Sequence, residues 1–496
     1  MKDLKHWQDA MKATHKDNNF EDFLKYVASW APLVFHKVDG TVSRYPKSDR
    51  IWWVKHIDEF EKTRDSLTDH GIDYDESKDI FDNLGELMQG FHFPALIRFY
   101  QNHNSDFADV VIHGKNVYMS YASIDAEDIL YSCQAKNYVN HVVSSVMVFD
   151  HSEQCYMSLS VLESYKVFFS KYILNSNNIW LSSDLVWCSE CILCHGLENK
   201  SYCIENVEYK KHEYLVKKEE ILKNKQGFLK IYKTIKWAWK NHNSIDSSGT
   251  NLIECDSVEW WYHSNGIHNG RNIIFVWWGN GNENMYDTYQ AWGRKWDDFY
   301  GVCGGWNGAS NIFYSSNING GTALFYSLFL EDCSYCIGCI GLRNKQYCIL
   351  NKQYSKEQWM QKADEIFSIM QDNGTLGNFF PWHINPFYFN DTMAWLIWGF
   401  TKQQVEADGY LWRDEEIKVD IPEWTQTIGI SEVEEYQGYD EKWNWKINPE
   451  ILKKVIIDEK WDYYRIVQME YDFLMKHGLP LPEIHWMDRM KLNLWV

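Results

Sequence analysis

The hydrophobic positions of this chain fall into many short runs of β-branched and aromatic residues, separated by Asn, Ser, Asp or Gly. Examples are VYMSY (117–121), YKVFFSKYIL (165–174), NIFYSS (311–316) and TALFYSLFL (322–330). Short strands with turn residues at close, fairly even spacing predict a sandwich, a barrel or a coil-by-coil solenoid. We favour a β-solenoid (a parallel β-helix), because the patterns N-x-x-Y and C-x-x-C recur and a solenoid stacks such residues in ladders.

Two segments of the chain are copies of one another. Residues 188–214 read CSECILCHGLENKSYCIENVEYKKHEY, and residues 333–359 read CSYCIGCIGLRNKQYCILNKQYSKEQW. The offset is 145 positions throughout, and it aligns four cysteines together with matching Gly, Leu, Asn, Lys, Ile and Tyr residues. The chain therefore contains a duplicated unit of roughly 130 to 145 residues.

A helix is predicted behind each copy of the cysteine block. Ser355 and Gln358 fit a capping box, in which the serine accepts from an early amide and the glutamine reaches back. Gly374 suits the end of this helix. Apolar residues follow the box at helical spacing: Trp359, Ala363, Ile366, Phe367 and Met370. The first copy has Lys210 at the capping position, and its helical pattern runs on through 215–240.

These patterns predict a mixed β and α fold in which two solenoid-like β units are each closed by a helix. The N-terminal region is mainly helical by pattern, and the tail ends in a helix over 464–478 that Gly478 stops. The segment 241–250, NHNSIDSSGT, is the clearest linker. The predicted regions are 1–104 (N-terminal), 105–240 (first β unit), 250–374 (second β unit) and 375–496 (C-terminal loop and helical tail).

The cysteine blocks are the strongest candidates for chemistry. Each offers three thiols at C-x2-C-x2-C spacing and a fourth nine residues further on. The candidate metal ligands are Cys188, Cys191, Cys194, Cys203, Cys333, Cys336, Cys339 and Cys348. Four thiolates suit structural zinc, which is the cofactor that we predict for these blocks if they hold a metal.

Two other interpretations of the blocks remain open. Three closely spaced cysteines and a remote one also hold many [4Fe–4S] clusters. Alternatively, consecutive coils point small thiols into a core, where cysteine is among the most buried residue types. His195 lies inside the first block, and the second copy has Ile340 in its place, which favours a structural role.

Other polar residues are candidates for a binding or active site because they are duplicated or because of the residues beside them. Asn206 and Asn351 are duplicated, as are Lys200 and Lys345. They predict either two equivalent pockets or, more simply, turns and coil ends that satisfy backbone groups. The segment PWHINPFYFNDT (381–392) contains a histidine and an aspartate, but no nucleophile is partnered in the sequence, so no catalytic set is assigned.

Composition narrows the function classes. The 496 residues include 69 Asp and Glu against 49 Lys and Arg, which gives a formal net charge of −20. Nucleic-acid affinity depends largely on Lys and Arg, so a general polyanion binder is disfavoured. With 45% hydrophobic residues, disorder of the whole chain is excluded. The start MKDLKHWQDA lacks a secretory core, and no apolar run reaches about 18 residues, so we expect a soluble, cytoplasmic protein without a membrane span.

The block C-x2-C-x2-C-x-G-L-x-N-K-x-Y-C-I-x-N resembles a family of uncharacterised proteins from uncultivated, small-genome bacteria. The segments 378–392, 402–412 and 464–482 are similar to that family too, so the resemblance covers most of 75–496. Members are often labelled as CaiB/BaiF CoA-transferases or as zinc-ribbon proteins. This chain has no Cys before Cys133 and no phosphate-binding glycine loop, so the resemblance implies an architecture rather than an activity.

The tryptophan content leads to a separate hypothesis. The chain has 26 Trp, and several in 260–306 stand beside glycine in segments that otherwise resemble turns. Some bacteria of the kind in which the family occurs read UGA as glycine. This predicts that part of the tryptophan stands where a glycine codon is meant, at exposed turns with a positive φ.

We therefore expect a non-catalytic structural or interaction protein, with a protein or glycan partner. One alternative is a carbohydrate-active β-helix enzyme, which needs two carboxylates in one cleft. Another is a metal-stabilised nucleic-acid-binding protein, for which Lys210–Lys240 is the one basic stretch in the sequence.

Overall fold

A computed structural model describes residues 2–14, 25, 28–46, 50, 53–99, 101–235, 275–277, 285–286, 290–292, 299–300, 303–306, 309–397, 400–414, 421 and 425–494. The chain forms two compact units, each built from two separate segments. The first-solenoid unit contains residues 97–238 and 414–496, and the second-solenoid unit contains residues 1–96 and 239–413. The predicted linker 241–250 lies outside the described residues. None of the described helices combines the length and the apolar character needed to cross a bilayer.

The first solenoid is a stack of parallel coils. Strand partners lie 12 positions apart, as in Glu153 with Tyr165 and Leu159 with Lys171. Its strands are Arg98–Phe99, Phe107–Ile112, Lys115–Leu130, Cys133–Val143, Val146–Phe149, Glu153–Tyr156, Leu159–Leu162, Tyr165–Phe168, Lys171–Leu174, Asn177–Trp180, Ser183–Val186, Ser189–Ile192, Ser201–Ile204 and the antiparallel Val207–Glu208. The predicted β-solenoid is confirmed.

Each coil of 12 residues has four corners, because the backbone adopts the left-handed conformation, with a positive φ, at every third residue. From Gln154 to Leu193, positive φ recurs at every third position, with values such as 47° at Met157 and 57° at Lys166. L-residues adopt this conformation at a cost, and Asn and Asp tolerate it best. In a solenoid this conformational cost is offset by stacking, because each left-handed residue lies over its counterpart in the next coil.

Every third residue also points inward, and these positions alternate between aliphatic residues and serine. The aliphatic positions are fully buried: Val161, Val167, Ile173, Ile179 and Leu185 are 0–1% exposed. Between them, Ser164 donates its hydroxyl to Leu162 O at 2.7 Å and accepts from the N–H of Ser176 at 3.0 Å. The serines therefore satisfy backbone groups inside the stack while the aliphatic residues fill it.

Helices and short strands of the C-terminal segment cover one wall of the first solenoid. The wall presents Tyr156, Phe168 and Trp180, which are partners on neighbouring strands, and the ring of Phe473 lies 6.1 Å from Tyr156 and 6.4 Å from Phe168. The remaining elements of this unit are helices Lys211–Lys223, Lys225–Gly227 (3-10), Phe228–Thr234, Ile430–Tyr436 (3-10), Pro449–Lys453 (3-10), Gln468–His477 and Trp486–Leu494, and strands Thr427–Gly429, Gln437–Tyr439, Trp445–Ile447, Val455–Ile457 and Tyr463–Tyr464.

The second solenoid repeats this construction with its own aromatic ladders. From Ser310 onwards strand partners are again 12 positions apart, as in Ser310 with Thr322, whereas earlier coils are longer, as in Phe299 with Ile312. The rings of Tyr314 and Tyr326 stack at 5.2 Å. The strands are Phe275–Trp277, Met285–Tyr286, Gln290–Trp292, Phe299–Tyr300, Cys303–Trp306, Ser310–Phe313, Ser316–Asn319, Thr322–Phe325, Ser334–Ile337, Gln346–Ile349 and Lys352–Gln353. Interior positions follow the same alternation of aliphatic residue and serine.

Helices and short strands complete the second-solenoid unit. They are helices Leu4–Thr14, Ile57–Thr63, Arg64–His70 (3-10), Ile80–Gln89, Lys356–Asp372, Trp382–Ile384 (3-10), Phe389–Asp391 (3-10), Met393–Ile397 and Lys402–Ala407, and strands His36–Val38, Thr41–Ser43, Trp53–Lys55 and His92–Pro94. The buried guanidinium of Arg64 donates to Gly341 O at 2.8 Å and to Phe329 O at 3.0 Å. Gly341 has a φ of 76°, and a Cβ there would meet the ring of Phe91 at 2.7 Å, so only glycine fits.

The predicted closing helices are present. Lys356–Asp372 begins with the Ser355–Gln358 capping box, and Gly374 follows its end with a φ of 71°. Its predicted apolar face is buried throughout, and Trp359 Nε1 donates to Cys348 O at 3.2 Å. The predicted helical region behind the first copy forms the helices Lys211–Lys223 and Phe228–Thr234, with a break at Asn224 and Gly227, and residues 236–240 lie outside the described residues. The tail helix begins at Gln468, four residues later than its pattern predicts.

Candidate functional site

The eight cysteines of the two blocks all occupy inward-facing positions of the last coils. Cys191 and Cys203 continue the aliphatic row that contains Ile179, with strand partners Ile179–Cys191 and Cys191–Cys203. All eight are 0–2% exposed, and all eight are free thiols. The blocks therefore mark the end of each solenoid, where thiols replace the aliphatic and serine side chains.

Two of the cysteines take over the hydrogen bonds of serine. Cys194 accepts from the N–H of Asn206 at 3.5 Å, as Ser182 accepts from the N–H of Cys194 at 2.9 Å one coil earlier. In the second copy, Cys339 accepts from the N–H of Asn351 at 3.4 Å. A thiol can do this because its sulfur is a weak acceptor at a position where the backbone donor is buried.

The central thiol of each block lies among the others. Hydrogen bonds to Cys188 and Cys194 raise the pKa of Cys191, and hydrogen bonding to Cys191 lowers the pKa of Cys188 to about 7. In the second block, burial and a hydrogen bond to Cys333 raise the pKa of Cys336. The central thiols are therefore held protonated.

The thiols do not converge as metal ligands do. A Zn–S bond of about 2.3 Å places the sulfurs of a tetrahedral site about 3.8 Å apart. Within the described part of the chain, one set of three ligand atoms lies within 4.8 Å of one another, and it consists of carboxylates rather than thiols. Cys191 and Cys203 follow one another in a single row on neighbouring coils, and Cys188 and Cys194 face the interior from other positions of their coil, so binding a metal would require the thiols to move together.

The duplicated asparagines bond to the backbone. Asn206 accepts from the N–H of His195 and donates to its carbonyl, both at 2.8 Å, and Asn351 makes the same pair with Ile340 at 2.8 and 2.9 Å. Both have a φ of 64°. These contacts hold the last turn of each solenoid together, whichever residue stands at the position of His195.

The polar residues of segment 381–392 are not brought together. His383 Nε2 lies 3.0 Å from Asp82, whereas buried Asp391 lies 2.5 Å from Arg413 and 3.2 Å from His36. Although burial opposes it, these hydrogen bonds from His36 and Arg413 hold the pKa of Asp391 below its usual range. The two acid–base candidates therefore serve separate structural pairs.

The structure adds a site that the sequence does not indicate: a groove of about 670 Å³ in the first-solenoid unit. One wall is a corner of the solenoid, and the other is the helix Gln468–His477, called the groove helix below. The lining residues are Asn104, Asn116, Tyr118, Asp128, His141, Val143, Val467, Gln468, Met469, Asp472, Phe473 and Lys476. The volume falls in the range of about 300–1,000 Å³ that is typical of small-molecule sites.

Four polar side chains form a ladder along the solenoid wall of the groove, with one side chain per coil. Asn104 Nδ2 donates to Asn116 Oδ1 at 2.9 Å, and Asn116 Nδ2 donates to Asp128 Oδ1 at 2.7 Å. His141 Nδ1 lies 2.8 Å from Asp128 Oδ2. The hydrogen bonds from His141 and Asn116 hold the pKa of Asp128 below its usual range, so the carboxylate is ionised at neutral pH. We call these four residues the corner ladder.

The rest of the groove combines aromatic, apolar and charged groups. Tyr118 lies beside the corner ladder, and Phe107, which is 41% exposed, has its ring 5.6 Å from that of Tyr118. Across the groove, Gln468 Nε2 donates to Asp472 Oδ1 at 2.8 Å on the groove helix. The groove therefore offers the aromatic ring of Tyr118 next to two carboxylates.

A sequence signal for the corner ladder exists in retrospect. Asn104, Asn116 and Asp128 are 12 positions apart, and His141 follows at 13 because that coil has an extra corner residue. Without the coil period this spacing has no meaning, since 12 positions exceed the length of an ordinary strand and do not fit the helical period of 3.6.

A cluster of three aspartates near a second cavity is explained by contacts within the protein. Asp458, Asp462 and Asp488 have ligand atoms within 4.8 Å of one another, beside a cavity of about 470 Å³. Asp458 accepts from three backbone N–H groups, those of residues 460, 462 and 485, at 2.9–3.2 Å. Asp488 lies 2.6 Å from Lys460 Nζ. These bonds explain the cluster as a turn with a salt bridge.

Comparisons with protein-family models, with curated proteins and with solved structures found no match. The family resemblance of the cysteine blocks stays a prediction, and so does zinc as their cofactor.

Proposed function

We propose that this protein is a non-catalytic binding protein, in which the first solenoid and the groove helix hold part of a partner between them. The groove carries this proposal, because it sets polar groups in line at one per coil beside an aromatic surface. The solenoid supplies rigidity, since its interior rows are packed and hydrogen-bonded from coil to coil. A rigid, preformed groove limits the ordering cost of binding.

The other reactive groups support a binding role over a catalytic one. The thiols of both blocks are 0–2% exposed and face the solenoid interior. His383 and Asp391 belong to separate ion pairs. A catalytic set needs a nucleophile or acid next to its base and open to substrate.

A carbohydrate-active enzyme is the second candidate, and one observation favours it. Asp128 and Asp472 line the same groove from opposite walls. Glycoside hydrolysis uses two carboxyl groups about 5–10 Å apart, one of them with a raised pKa. Asp128 has a lowered pKa, which suits an ionised partner rather than the acid.

Nucleic-acid binding is the weaker alternative. The helix Lys211–Lys223 within the basic stretch also carries glutamates, and Lys223 pairs with Glu219 at 3.3 Å. Lys218 pairs with Glu190 at 2.6 Å. A surface of alternating charge on a chain of net charge −20 gives little attraction for phosphates.

Binding and turnover, measured together, test the proposal. The purified full chain is incubated with panels of peptides and of neutral and acidic oligosaccharides, with calorimetry for binding and mass spectrometry for products. We expect saturable binding of one class with every probe recovered intact. Product formation that Asp128→Asn or Asp472→Asn abolishes would contradict a non-catalytic role and favour the enzyme.

A further inference from the structure

The hydrogen-bonding groups that remain unused in the corner ladder are mainly acceptors. Asn104 uses one of its two amide N–H donors within the ladder, which leaves one N–H and both lone pairs of its carbonyl oxygen. Asp128 accepts one bond on each oxygen and retains further lone pairs. When His141 donates from Nδ1 to Asp128, its Nε2 is an acceptor in the neutral ring. A ligand rich in O–H donors complements such a wall.

Charge in the groove selects against an anionic ligand. Asp128 and Asp472 line opposite walls, and Lys476 is the one lysine or arginine among the lining residues. Asp128 is ionised at neutral pH, so a carboxylate or phosphate of the ligand would meet like charge. A neutral ligand avoids this repulsion and still receives charge-assisted hydrogen bonds from the carboxylate.

The solenoid wall does not offer its backbone to a peptide strand. Its N–H and C=O groups bond from coil to coil, for example Asn116 N–H to His103 O at 2.9 Å and Tyr131 N–H to Tyr118 O at 3.1 Å. Addition of a strand needs an open sheet edge. Recognition at this wall therefore depends on side chains.

The spacing of the corner ladder and the aromatic surface beside it favour a ligand that consists of a chain of sugar rings. Neighbouring coils are about 4.8 Å apart, so the corner ladder presents a polar group at intervals comparable to one sugar unit. Tyr118 provides an aromatic face beside the ladder, and the exposed Phe107 lies next to it, outside the groove lining, with its ring tilted by 55°. A pyranose has hydroxyls at its edge and an apolar C–H face, which matches this pairing of a polar row and an aromatic surface.

We infer that the groove binds a neutral oligosaccharide, with its hydroxyls on Asn116, Asp128 and His141 and its apolar face on Tyr118. This inference rests on the proposed binding function and names its ligand class. The apolar groups of the groove helix, Val467 and Met469, lie on the opposite side of the ligand.

Calorimetry on the full chain tests the inference with five hexasaccharide probes. Cellohexaose, maltohexaose, xylohexaose and mannohexaose are neutral, and hexagalacturonate is the acidic contrast. We expect at least one neutral probe to bind and hexagalacturonate to bind about tenfold more weakly or not at all. Asn116→Ala and Tyr118→Ala should each weaken the neutral probe by about tenfold or more.

The chain provides a matched control. Asn178 occupies the same corner row as Asn116, lies outside the groove lining and has the same φ of 54°. Asn178→Ala therefore carries the same backbone cost and should leave affinity within about twofold of the original protein. An equal loss of affinity in Asn116→Ala and Asn178→Ala would overturn the inference, because it would reflect an effect on folding rather than a lost contact with the ligand.

The outcomes separate this inference from the proposed function. Binding of a cationic peptide that Asp128→Asn abolishes, without binding of any neutral hexasaccharide, overturns the sugar assignment and leaves a binding protein. Preference for hexagalacturonate also overturns it. Cleavage of a neutral probe upholds the sugar assignment and contradicts the non-catalytic role.

Discussion

Left-handed backbone is the feature that most distinguishes the residues of this protein. Asn, Asp and Gly accept it readily, but Trp443 and Trp461 adopt φ values of 60° and 68° while their side chains are 70% and 76% exposed. Both stand in the same turn, D-E-K-W, in which the Trp N–H bonds to the Asp carbonyl three residues earlier. A hairpin of this kind normally has glycine at the left-handed position.

We predict that Trp461→Gly stabilises the protein. A non-glycine residue in this conformation costs about 1–2 kcal/mol, and an exposed ring recovers little of it, so we expect a gain of about 1 kcal/mol. Urea unfolding followed by circular dichroism measures the change.

Trp461→Ala is the control, since alanine removes the ring and keeps the backbone cost. Equal stability of the glycine and alanine variants would show that the left-handed backbone is not the cause. The hypothesis of misread glycine codons stays a prediction. Among the seven tryptophans in 260–306, only Trp277, Trp292 and Trp306 lie within the described residues, and their side chains are not described.

At the scale of an element, the solenoid interior contains two kinds of row with different requirements. An aliphatic row needs volume, and a serine row needs a donor and an acceptor for the backbone. Cysteine satisfies either need moderately well, which explains why one residue type takes over both rows at the end of each solenoid.

Crossed substitutions at Cys191 and Cys194 separate the two rows. We expect Cys194→Ser and Cys191→Val to change the free energy of unfolding by less than about 1 kcal/mol. Cys194→Val should cost about 1–3 kcal/mol, since the N–H of Asn206 then loses its acceptor, and Cys191→Ser should cost a similar amount for placing a hydroxyl in an aliphatic row. Equilibrium denaturation of the four variants measures this.

A structural zinc site predicts a different result. Every one of the four substitutions would then remove a ligand and lower both stability and metal content. Metal analysis of protein purified without chelator accompanies the denaturation. About one equivalent of zinc per cysteine block, lost in Cys194→Ser, would replace the two-row explanation.

The groove helix makes the first-solenoid unit sensitive to acid. His477 packs between the rings of Phe168 and Phe473, at 5.1 and 4.6 Å. Burial, with Lys476 and Lys166 nearby, lowers the pKa of His477 to about 4, and burial lowers that of His485 to about 4 as well. His485 Nδ1 accepts from the N–H of Met487 at 3.3 Å, which requires the neutral ring.

We therefore predict a loss of stability on acidification. In the unfolded chain each histidine takes up a proton near pH 6.5, whereas in the folded chain it does so near pH 4, so the stabilisation is complete above about pH 6.5 and falls towards pH 4. Both imidazoles are partly reached by solvent, which screens the effect, so the loss is on the order of 2 kcal/mol for each histidine. Urea titrations between pH 7.5 and 4 measure it.

His477→Gln should flatten this pH dependence, and His212→Gln is the control, because His212 is exposed on the helix Lys211–Lys223. A pH profile that His477→Gln and His485→Gln leave unchanged would show that other groups cause the acid sensitivity.

At the scale of the whole molecule, each unit joins segments that are distant in the chain. Residues 414–496 belong with 97–238, although more than 170 residues separate the two segments. The reason in the first-solenoid unit is the aromatic wall of Tyr156, Phe168 and Trp180, which the tail covers with Phe473. Within the tail, Arg489 and Glu470 form a fully buried ion pair at 2.6 Å, and Asn493 Nδ2 ties the tail to the solenoid by donating to Ser144 O at 3.0 Å.

Removal of residues 414–496 should expose that wall. We expect the shortened protein to bind a hydrophobic dye and to self-associate, because a contiguous exposed apolar surface drives association. Analytical ultracentrifugation and dye fluorescence test this, and addition of the separate 414–496 fragment should reverse both changes. A monomeric shortened protein that unfolds cooperatively at the original midpoint would contradict the expectation.

Much of the fold was predictable from local pattern. The repeat at an offset of 145, the β-solenoid class, the capping box at Ser355 and the stop at Gly478 all depend on neighbours in the chain, and all are present. The period of three, with an inward residue such as Val161 or Ser164 at every third position, is also written in the sequence. The strand period of 2 and the helical period of 3.6 do not reveal it.

The sequence by itself determined which residues stack, since a coil of fixed length brings position i beside i+12 wherever the repeat holds. The tertiary structure alone decided which wall the tail covers and where it leaves a gap. The groove exists because the helix Gln468–His477 packs on Tyr156 and Phe168 and leaves Asn116, Asp128 and Tyr118 uncovered. That choice depends on side-chain packing between segments hundreds of residues apart, which no local pattern encodes.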